Sequence, residues 1–241
     1  LEMTWLILDE MDGVISENAF DTLQPHFPGC SAMVLGPGIG REDTTRRLIQ
    51  RLLMGNHRDG NLSTIGFPGI TDSLARQETI LPPMVLDADG LSLMAELKKM
   101  PEKARVRMVL TPHPGEMSRL TGLSVEEIQN DRQGIVQRFA LQWGQTVVLK
   151  GANTVIADED GKLMVLPVAT SALAKAGSGD VLAGMIGGLL AQGLAPFDAA
   201  VCAAWLHARA GILAARQLGA NESVLASQVA AAIPQAIAEL S

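Results

Sequence analysis

Short apolar runs alternate along this chain with longer stretches whose apolar residues recur three and four positions apart, the rhythm of strands and one-sided helices. Trp5 to Leu8 is expected to be a short buried strand, followed by an acidic turn at Asp9 to Gly13 and a helix from about Glu17 that turns Phe20 and Leu23 inward. Ala32 to Leu35 reads as the next strand and runs into Gly36-Pro37-Gly38-Ile39-Gly40. Thr44 to Met54 then carries Leu48, Ile49, Leu52 and Leu53 on one helical face. Residues 55–83 are polar, glycine-rich and aperiodic, a surface excursion with one short helix near Asp72 to Gln77.

Met84 to Leu86 is a strand that meets Asp87-Ala88-Asp89-Gly90 and a helix carrying Leu91, Met94 and Leu97. Met108 to Leu110 leads into Thr111-Pro112-His113-Pro114-Gly115-Glu116 and a short helix. Ser124 and Glu127 form a capping box that opens one helix through Ile128, Ile135, Val136 and Phe139. Thr146 to Leu149 is a continuous apolar strand, and Thr154 to Ala157 with Lys162 to Leu166 reads as a hairpin turning at Asp160-Gly161. A helix from Gly179 to about Gln192 stops at Gly193, a second runs from Pro196 to Leu218, and a third begins after Ser227 and is interrupted by Pro234.

Strands alternating with helices predict an α/β fold, with a mostly parallel central sheet covered by helices on both faces. Ligands of such sheets bind beyond the carboxyl ends of the strands, and each loop named above lies at such an end. With 241 residues, 47% of them hydrophobic, the chain is expected to form one domain over residues 1–241. Leu1 to Leu8 resembles the end of a strand more than a natural start, so a segment is expected to precede it.

The net charge is −7 and no stripe of lysine or arginine is present, which argues against a nucleic-acid surface and leaves any anionic ligand to local dipoles. Cys30 and Cys202 have no C-x-x-C spacing, so neither a disulfide framework nor a thiolate metal site is expected, and the pair suits a reducing cytosol. The longest apolar runs, such as Val181 to Leu190, are broken by glycines and too short to span a bilayer, and Leu1 to Leu8 lacks the basic flank of a signal peptide. A cytoplasmic protein that binds neither membrane nor nucleic acid is the expectation.

The richest stretch is Ala174 to Gly184, where a turn of small residues runs into an apolar helix with Asp180 in its first turn. Main-chain amides at a helix start lack partners and carry partial positive charge, so a phosphate fits there, with Asp180 beside it to accept a proton. The plainer alternative is a helix capped by Ser178, with Asp180 favouring the dipole. Two prolines fix the backbone around His113, and Glu116 either caps the following helix or helps hold a hydrated magnesium ion. Lys150-Gly151-Ala152-Asn153-Thr154 ends a buried strand with a cation and small polar groups, suited to a nucleotide phosphate or to a salt-bridged strand end. Asp87 and Asp89 are either magnesium or substrate contacts or solvated carboxylates before a helix. His207, in an alanine-rich helix, reads as a packed histidine and not a ligand.

Taken together, LGPGIGRE (Leu35 to Glu42), VLDADGL (Val85 to Leu91), LTPHPGEMSRL (Leu110 to Leu120), VVLKGANTVI (Val147 to Ile156) and AKAGSGDVLAGMIGGLLAQG (Ala174 to Gly193) closely resemble the bacterial ADP-dependent NAD(P)H-hydrate dehydratases, a carbohydrate-kinase-like family. The resemblance covers most of Ala32 to Leu240. It implies a ribokinase-like three-layer α/β/α fold and an enzyme, a hydro-lyase, that removes water from hydrated NADH or NADPH while ADP becomes AMP and phosphate. It assigns Gly38, Gly40, His113 and Asp180 to the hydrated nicotinamide nucleotide, with Asp180 the catalytic residue at its hydroxyl. Lys150, Gly151, Ala152, Asn153 and Thr154, with Gly177, Ser178 and Gly179, go to ADP or AMP.

Mg2+ is the implied cofactor, with Glu116 and Asp87 as candidate carboxylates near it and no residue assigned to it outright. An NAD(P)H-hydrate epimerase, fused or separate, and a homo-oligomer, a tetramer by resemblance, are the implied associations. Family members carry a further amino-terminal strand and glycine-rich segment with an alanine that touches substrate, so the domain is expected to lack its amino-terminal part, and residues 55–83 exceed the family's usual length. Two other readings stand beside this one: a ribokinase-like ATP-dependent small-molecule kinase of the hydroxymethylpyrimidine or hydroxyethylthiazole type, and a nucleotide-binding relative without activity.

Overall fold

A computed structural model describes residues 3–54, 81–97 and 106–240. The chain opens with a small antiparallel hairpin, β1 (Glu10–Met11) and β2 (Val14–Ile15), then α1 (Ala19–Leu23), β3 (Met33–Leu35) and α2 (Asp43–Met54). There follow β4 (Met84–Leu86), α3 (Ala88–Glu96), β5 (Met108–Leu110), α4 (Pro114–Thr121), α5 (Val125–Asn130), α6 (Arg132–Trp143) and β6 (Thr146–Leu149). The remainder is β7 (Val155–Ala157), β8 (Leu163–Val165), α7 (Ser178–Ala191), α8 (Pro196–Leu218) and α9 (Ala226–Ala238).

Strands β3 to β8 form one sheet in sequence order, parallel from β3 to β6 and antiparallel across β7 and β8. The first three carry the same tripeptide, Met-Val-Leu, and pair in register, so that Met33, Met84 and Met108 form one row, Val34, Val85 and Val109 the next, and Leu35, Leu86 and Leu110 the third. Because side chains alternate across a strand, the rows face opposite ways. Leu86, Leu110 and Leu149 cluster with Ile49, Leu91, Met117 and Phe139 on the side of α2, α3, α4 and α6. Val85, Val109 and Val148 instead meet Leu182, Ile186, Ala199 and Ala203 of α7 and α8. Burying each such valine or leucine contributes roughly 1.5–3 kcal/mol, so the two faces together hold the three layers.

A third cluster closes the far end, where Leu213 and Ala210 of α8 pack on Val229, Ala232 and Ala236 of α9. By length and composition α8 is apolar enough to cross a membrane; here most of it is buried against α7, α9 and the sheet.

Three expectations are corrected. Trp5 to Leu8 is not a buried strand: Trp5 is 78% and Ile7 90% exposed, because the pattern supplies apolar residues but no strand among the described residues pairs with them. The helix expected from Ser124 through Phe139 is two, since Asp131 leaves the helical conformation and its Oδ1 accepts from the Gly134 amide 2.9 Å away, starting α6 anew. The last helix begins at Ala226 and continues through Pro234, held by its packing on α8. Of residues 55–83, only Leu81 to Pro83 are described, and there Leu81 is buried in the core; the helix near Asp72 to Gln77 lies outside the described residues.

Candidate active site

The parallel ladder continues one residue beyond each strand and so fixes the loops that carry chemistry. The Asp87 amide donates to Leu35 O at 3.1 Å, the Thr111 amide to Leu86 O at 3.2 Å, and the Lys150 amide to Pro112 O at 2.9 Å. These loops lie side by side at the carboxyl edge of the sheet, and α7 points its amino end at them: a Cβ on Gly179 would lie 3.4 Å from Lys150 Nζ and 3.7 Å from Asp87 Oδ2.

Lys150 Nζ donates to Asp87 Oδ1 at 2.7 Å and stands 3.7 Å from Glu116 Oε2. Asp87 is almost fully buried, so this pair is a fixed part of the site and not a solvent-screened contact. Two non-glycine residues in the left-handed region flank it, Ala88 at φ +49° and Asn153 at φ +56°. Each costs on the order of 1–2 kcal/mol, a strain tolerated where a loop must be held in one shape.

His113 caps its own helix. Its Nδ1 accepts from the Gly115 and Glu116 amides at 3.0 and 3.3 Å, while Glu116 Oε2 accepts from the His113 amide at 2.8 Å. The Glu116 capping role weighed from sequence is therefore present, and the partner that completes it is the histidine side chain. Partial burial lowers the imidazole pKa from its ordinary value, against the opposing pull of the Glu116 carboxylate.

The α7 amino end differs from the capped helix considered from sequence. Gly177, at φ +83°, is its N-cap and supplies no side chain; Ser178 lies inside the first turn. The Ser178 hydroxyl turns instead to His207 Nε2 of α8. His207 is buried, and burial lowers its pKa to about 4, so the partner it offers at neutral pH is an uncharged ring. The amides of Gly179 and Asp180 meet no acceptor among the described residues.

A cleft of about 670 Å³, large enough for a nucleotide, opens between these parts. His113, Lys150, Gly151, Ala152 and Thr154 line one side, and Ser178 and Gly179 the other. Leu166, Val168, Leu173 and Ala204 make its floor apolar, as a base-binding compartment requires. The structure thus brings these seven sequence-predicted residues together. Asn153 and Gly177 flank the lining without joining it, and Gly38 and Gly40 lie in the loop after β3, where the Gly40 amide reaches Asp89 Oδ2 at 3.3 Å. Asp180 is exposed one residue beyond Gly179, and no ion pair or side-chain hydrogen bond engages it among the described residues.

His207 is packed, as read from the sequence, but its Ser178 partner was not foreseen, and Arg132 was not singled out at all. Arg132 Nη2 donates to Leu149 O and Lys150 O at the end of β6. The alanine-rich surroundings of His207 gave no sign of a partner in α7, and only the fold supplies it. Among the described residues no group of three or more His, Cys, Asp or Glu side chains is arranged to hold a metal alone. Asp87 Oδ2 accepts no hydrogen bond among the described residues and Glu116 Oε1 lies 3.4 Å from His113 Nε2, a sparse carboxylate set that fits a magnesium ion held mainly by phosphate oxygens and water.

Comparison with known proteins gives a consistent result. The family model described as NAD(P)H-hydrate dehydratase matches residues 68–235. The bifunctional NAD(P)H-hydrate repair enzyme of Moorella thermoacetica is 37% identical over 217 residues, which cover 90% of this chain and 36% of that protein. The ADP-dependent (S)-NAD(P)H-hydrate dehydratase of Neisseria meningitidis is 42% identical over 153 residues, 62% of this chain and 51% of that protein. The chain therefore matches about a third of the first relative's length and half of the second's. The ADP/ATP-dependent NAD(P)H-hydrate dehydratase of Bacillus subtilis, crystallised with ATP and Mg2+, superimposes with a TM-score of 0.70 at 27% identity, covering 94% of this chain and 78% of that one.

Proposed function

The chain belongs to the NAD(P)H-hydrate dehydratase family, and from that premise we propose that it removes water from hydrated NADH or NADPH, with ADP as phosphoryl donor. The observation that carries this reading is that the α7 amino end opens at Ser178 and Gly179 onto the same cleft as Lys150 and His113, with the Gly179 and Asp180 amides unpartnered among the described residues.

A ring hydroxyl is a poor leaving group, and phosphorylation converts it to a good one. The hydroxyl oxygen attacks the terminal phosphorus of ADP and AMP departs. The lone pair of the ring nitrogen then expels phosphate, and loss of a proton from the adjacent ring carbon restores the dihydronicotinamide. Asp180, exposed in the first turn of α7, receives the hydroxyl proton as the new P–O bond forms. The Gly179 and Asp180 amides meet the charge on the transferring group, where fixed dipoles need no reorganisation. Lys150 holds the phosphates from the opposite side, and the apolar floor takes the base. His113 presents its ring toward the nicotinamide nucleotide, with the loop of Gly38 and Gly40 taking a further part of it.

Asp87 and Glu116 would hold Mg2+, which would screen the negative charge of the phosphates. An enzyme acting on one epimer of the hydroxyl leaves the other behind, so an NAD(P)H-hydrate epimerase is the expected functional partner; the bifunctional relative supports that association. A self-associated assembly belongs to the same reading.

The test is direct. Hydrated NADH with ADP and Mg2+ should regain the absorbance of reduced nicotinamide and release AMP and phosphate in equal amounts. No return of absorbance with either ADP or ATP, together with ATP-dependent phosphorylation of a pyrimidine or thiazole alcohol, would replace the dehydratase reading with the kinase one.

A further inference from the structure

Arg132 occupies the first position of α6, where several features count against it. A cation in the first turn of a helix opposes the helix dipole. The guanidinium is half-buried, which pulls its pKa below the ordinary arginine value. No carboxylate pairs with it among the described residues, and its Nε is buried without a hydrogen-bond partner. A residue kept at such a cost needs a gain elsewhere.

The gain lies at the end of β6. Arg132 Nη2 donates to Leu149 O at 3.0 Å and to Lys150 O at 3.3 Å, while Nη1 donates to Gln129 Oε1 at 2.8 Å and steadies the fork. Those two carbonyls set the direction in which the chain leaves the sheet and enters the turn 150–154. The turn makes room for the guanidinium: Gly151 sits at φ +141°, and a Cβ there would lie 3.3 Å from Nη2. Lys150 is thus held twice, through its carbonyl by Arg132 and through its ammonium by Asp87 at 2.7 Å.

We propose that Arg132 is a positioning residue for nucleotide binding: its forked contact with the Leu149 and Lys150 carbonyls presets the turn that receives the phosphates of ADP. The inference rests on the reading of Lys150 to Thr154 as the nucleotide turn. Arg132 itself does not line the cleft. Its effect is to raise the fraction of molecules whose turn is already in the binding shape, and affinity scales with that fraction.

The experiment compares the wild-type chain with Arg132→Met, which keeps length and removes charge, and Arg132→Lys, which keeps charge and removes the fork. ADP affinity is read by calorimetry and stability by thermal melting. Arg132→Met is expected to melt no lower than wild type and to bind ADP about tenfold more weakly. Arg132→Lys is expected to bind as weakly as Arg132→Met, because one ammonium cannot reproduce the planar fork. Unchanged ADP affinity in Arg132→Met overturns the proposal. So does weaker binding that comes with a lower melting temperature, which would make Arg132 a structural residue only. Recovery of binding in Arg132→Lys refutes the role of the fork. A wild-type chain that binds ADP yet leaves hydrated NADH unchanged removes the dehydratase reading and leaves this inference standing; one that does not bind ADP overturns the inference as well.

Discussion

The Ser178 hydroxyl lies 3.2 Å from Nε2 of His207, and both side chains are buried. A serine hydroxyl in a first helical turn competes for nearby backbone amides. Tied to α8, this one leaves the Gly179 and Asp180 amides to a ligand. His207→Leu, which frees the Ser178 hydroxyl to compete, should lower kcat/KM for ADP by up to about tenfold, the size of one neutral hydrogen bond, whereas Ser178→Ala, which leaves nothing to compete, should change it little. The double variant should be no worse than the poorer single one, since the two groups act as a unit. Additive losses in steady-state kinetics would show that they act separately.

Burial of His207 makes stability depend on pH. His207 binds its proton near pH 4 in the fold and near 6.5 in the unfolded chain, so the unfolded state takes up more protons between those values. Its contribution is intact above about pH 6.5 and is lost as pH falls toward 4, to a total of about 3 kcal/mol. Urea unfolding at pH 7 and pH 4.5 should show His207→Gln losing about 2–3 kcal/mol less than wild type over that interval.

The Lys150 and Asp87 pair is a case where removing one charge is worse than removing both. Lys150→Met strands the Asp87 carboxylate, whose side chain is 2% exposed, and should cost about 3–5 kcal/mol in urea denaturation. Lys150→Met with Asp87→Asn should recover most of that loss while ADP binding stays weak. Failure of the double variant to recover would mean that the pair, and not the burial of its parts, supplies the stability.

Two glycines of one loop predict opposite outcomes. A Cβ on Gly36, at φ +129°, would lie 1.8 Å from the Asp87 carbonyl oxygen, so Gly36→Ala should cost about 3 kcal/mol or more. Gly38, at φ +71°, has nothing within 4 Å. Gly38→Ala should cost only about 1–2 kcal/mol and fold, yet raise KM for the hydrated nucleotide if that backbone approaches it. Melting curves and KM values together separate the two.

Asp180→Asn should leave the melting temperature and AMP affinity unchanged, since the side chain is exposed and engages no protein group among the described residues. Turnover should fall at least about a hundredfold. Near-normal turnover in that variant would remove Asp180 from the chemistry.

Much of this architecture was legible because its signals are local. Pro196 and Gly219 bracket α8 so clearly that its span matches the sequence reading, and the short apolar runs ending in glycine, aspartate or threonine mark β3, β4 and β5. The topology of alternating strands and helices was enough to expect Lys150, His113 and Gly179 at one edge of the sheet. The features that escaped depend on partners distant in sequence. Trp5 to Leu8 has the apolar pattern of a strand and finds no neighbouring strand among the described residues; Ser178 looks like a cap until α8 brings His207 to it. Arg132 reads as an ordinary surface charge in a helix, and only the approach of α6 to the end of β6 shows the carbonyls it holds.

The three matching Met-Val-Leu rows carry a consequence for how this sheet assembles. Exchanging any two of β3, β4 and β5 would recreate the same side-chain rows, so the tripeptides themselves do not encode which strand lies where. Placement must come from the crossovers and from the residue next after each leucine: Gly36, Asp87 and Thr111. The strands are interchangeable mounts, and the individuality of the protein begins where each of them stops.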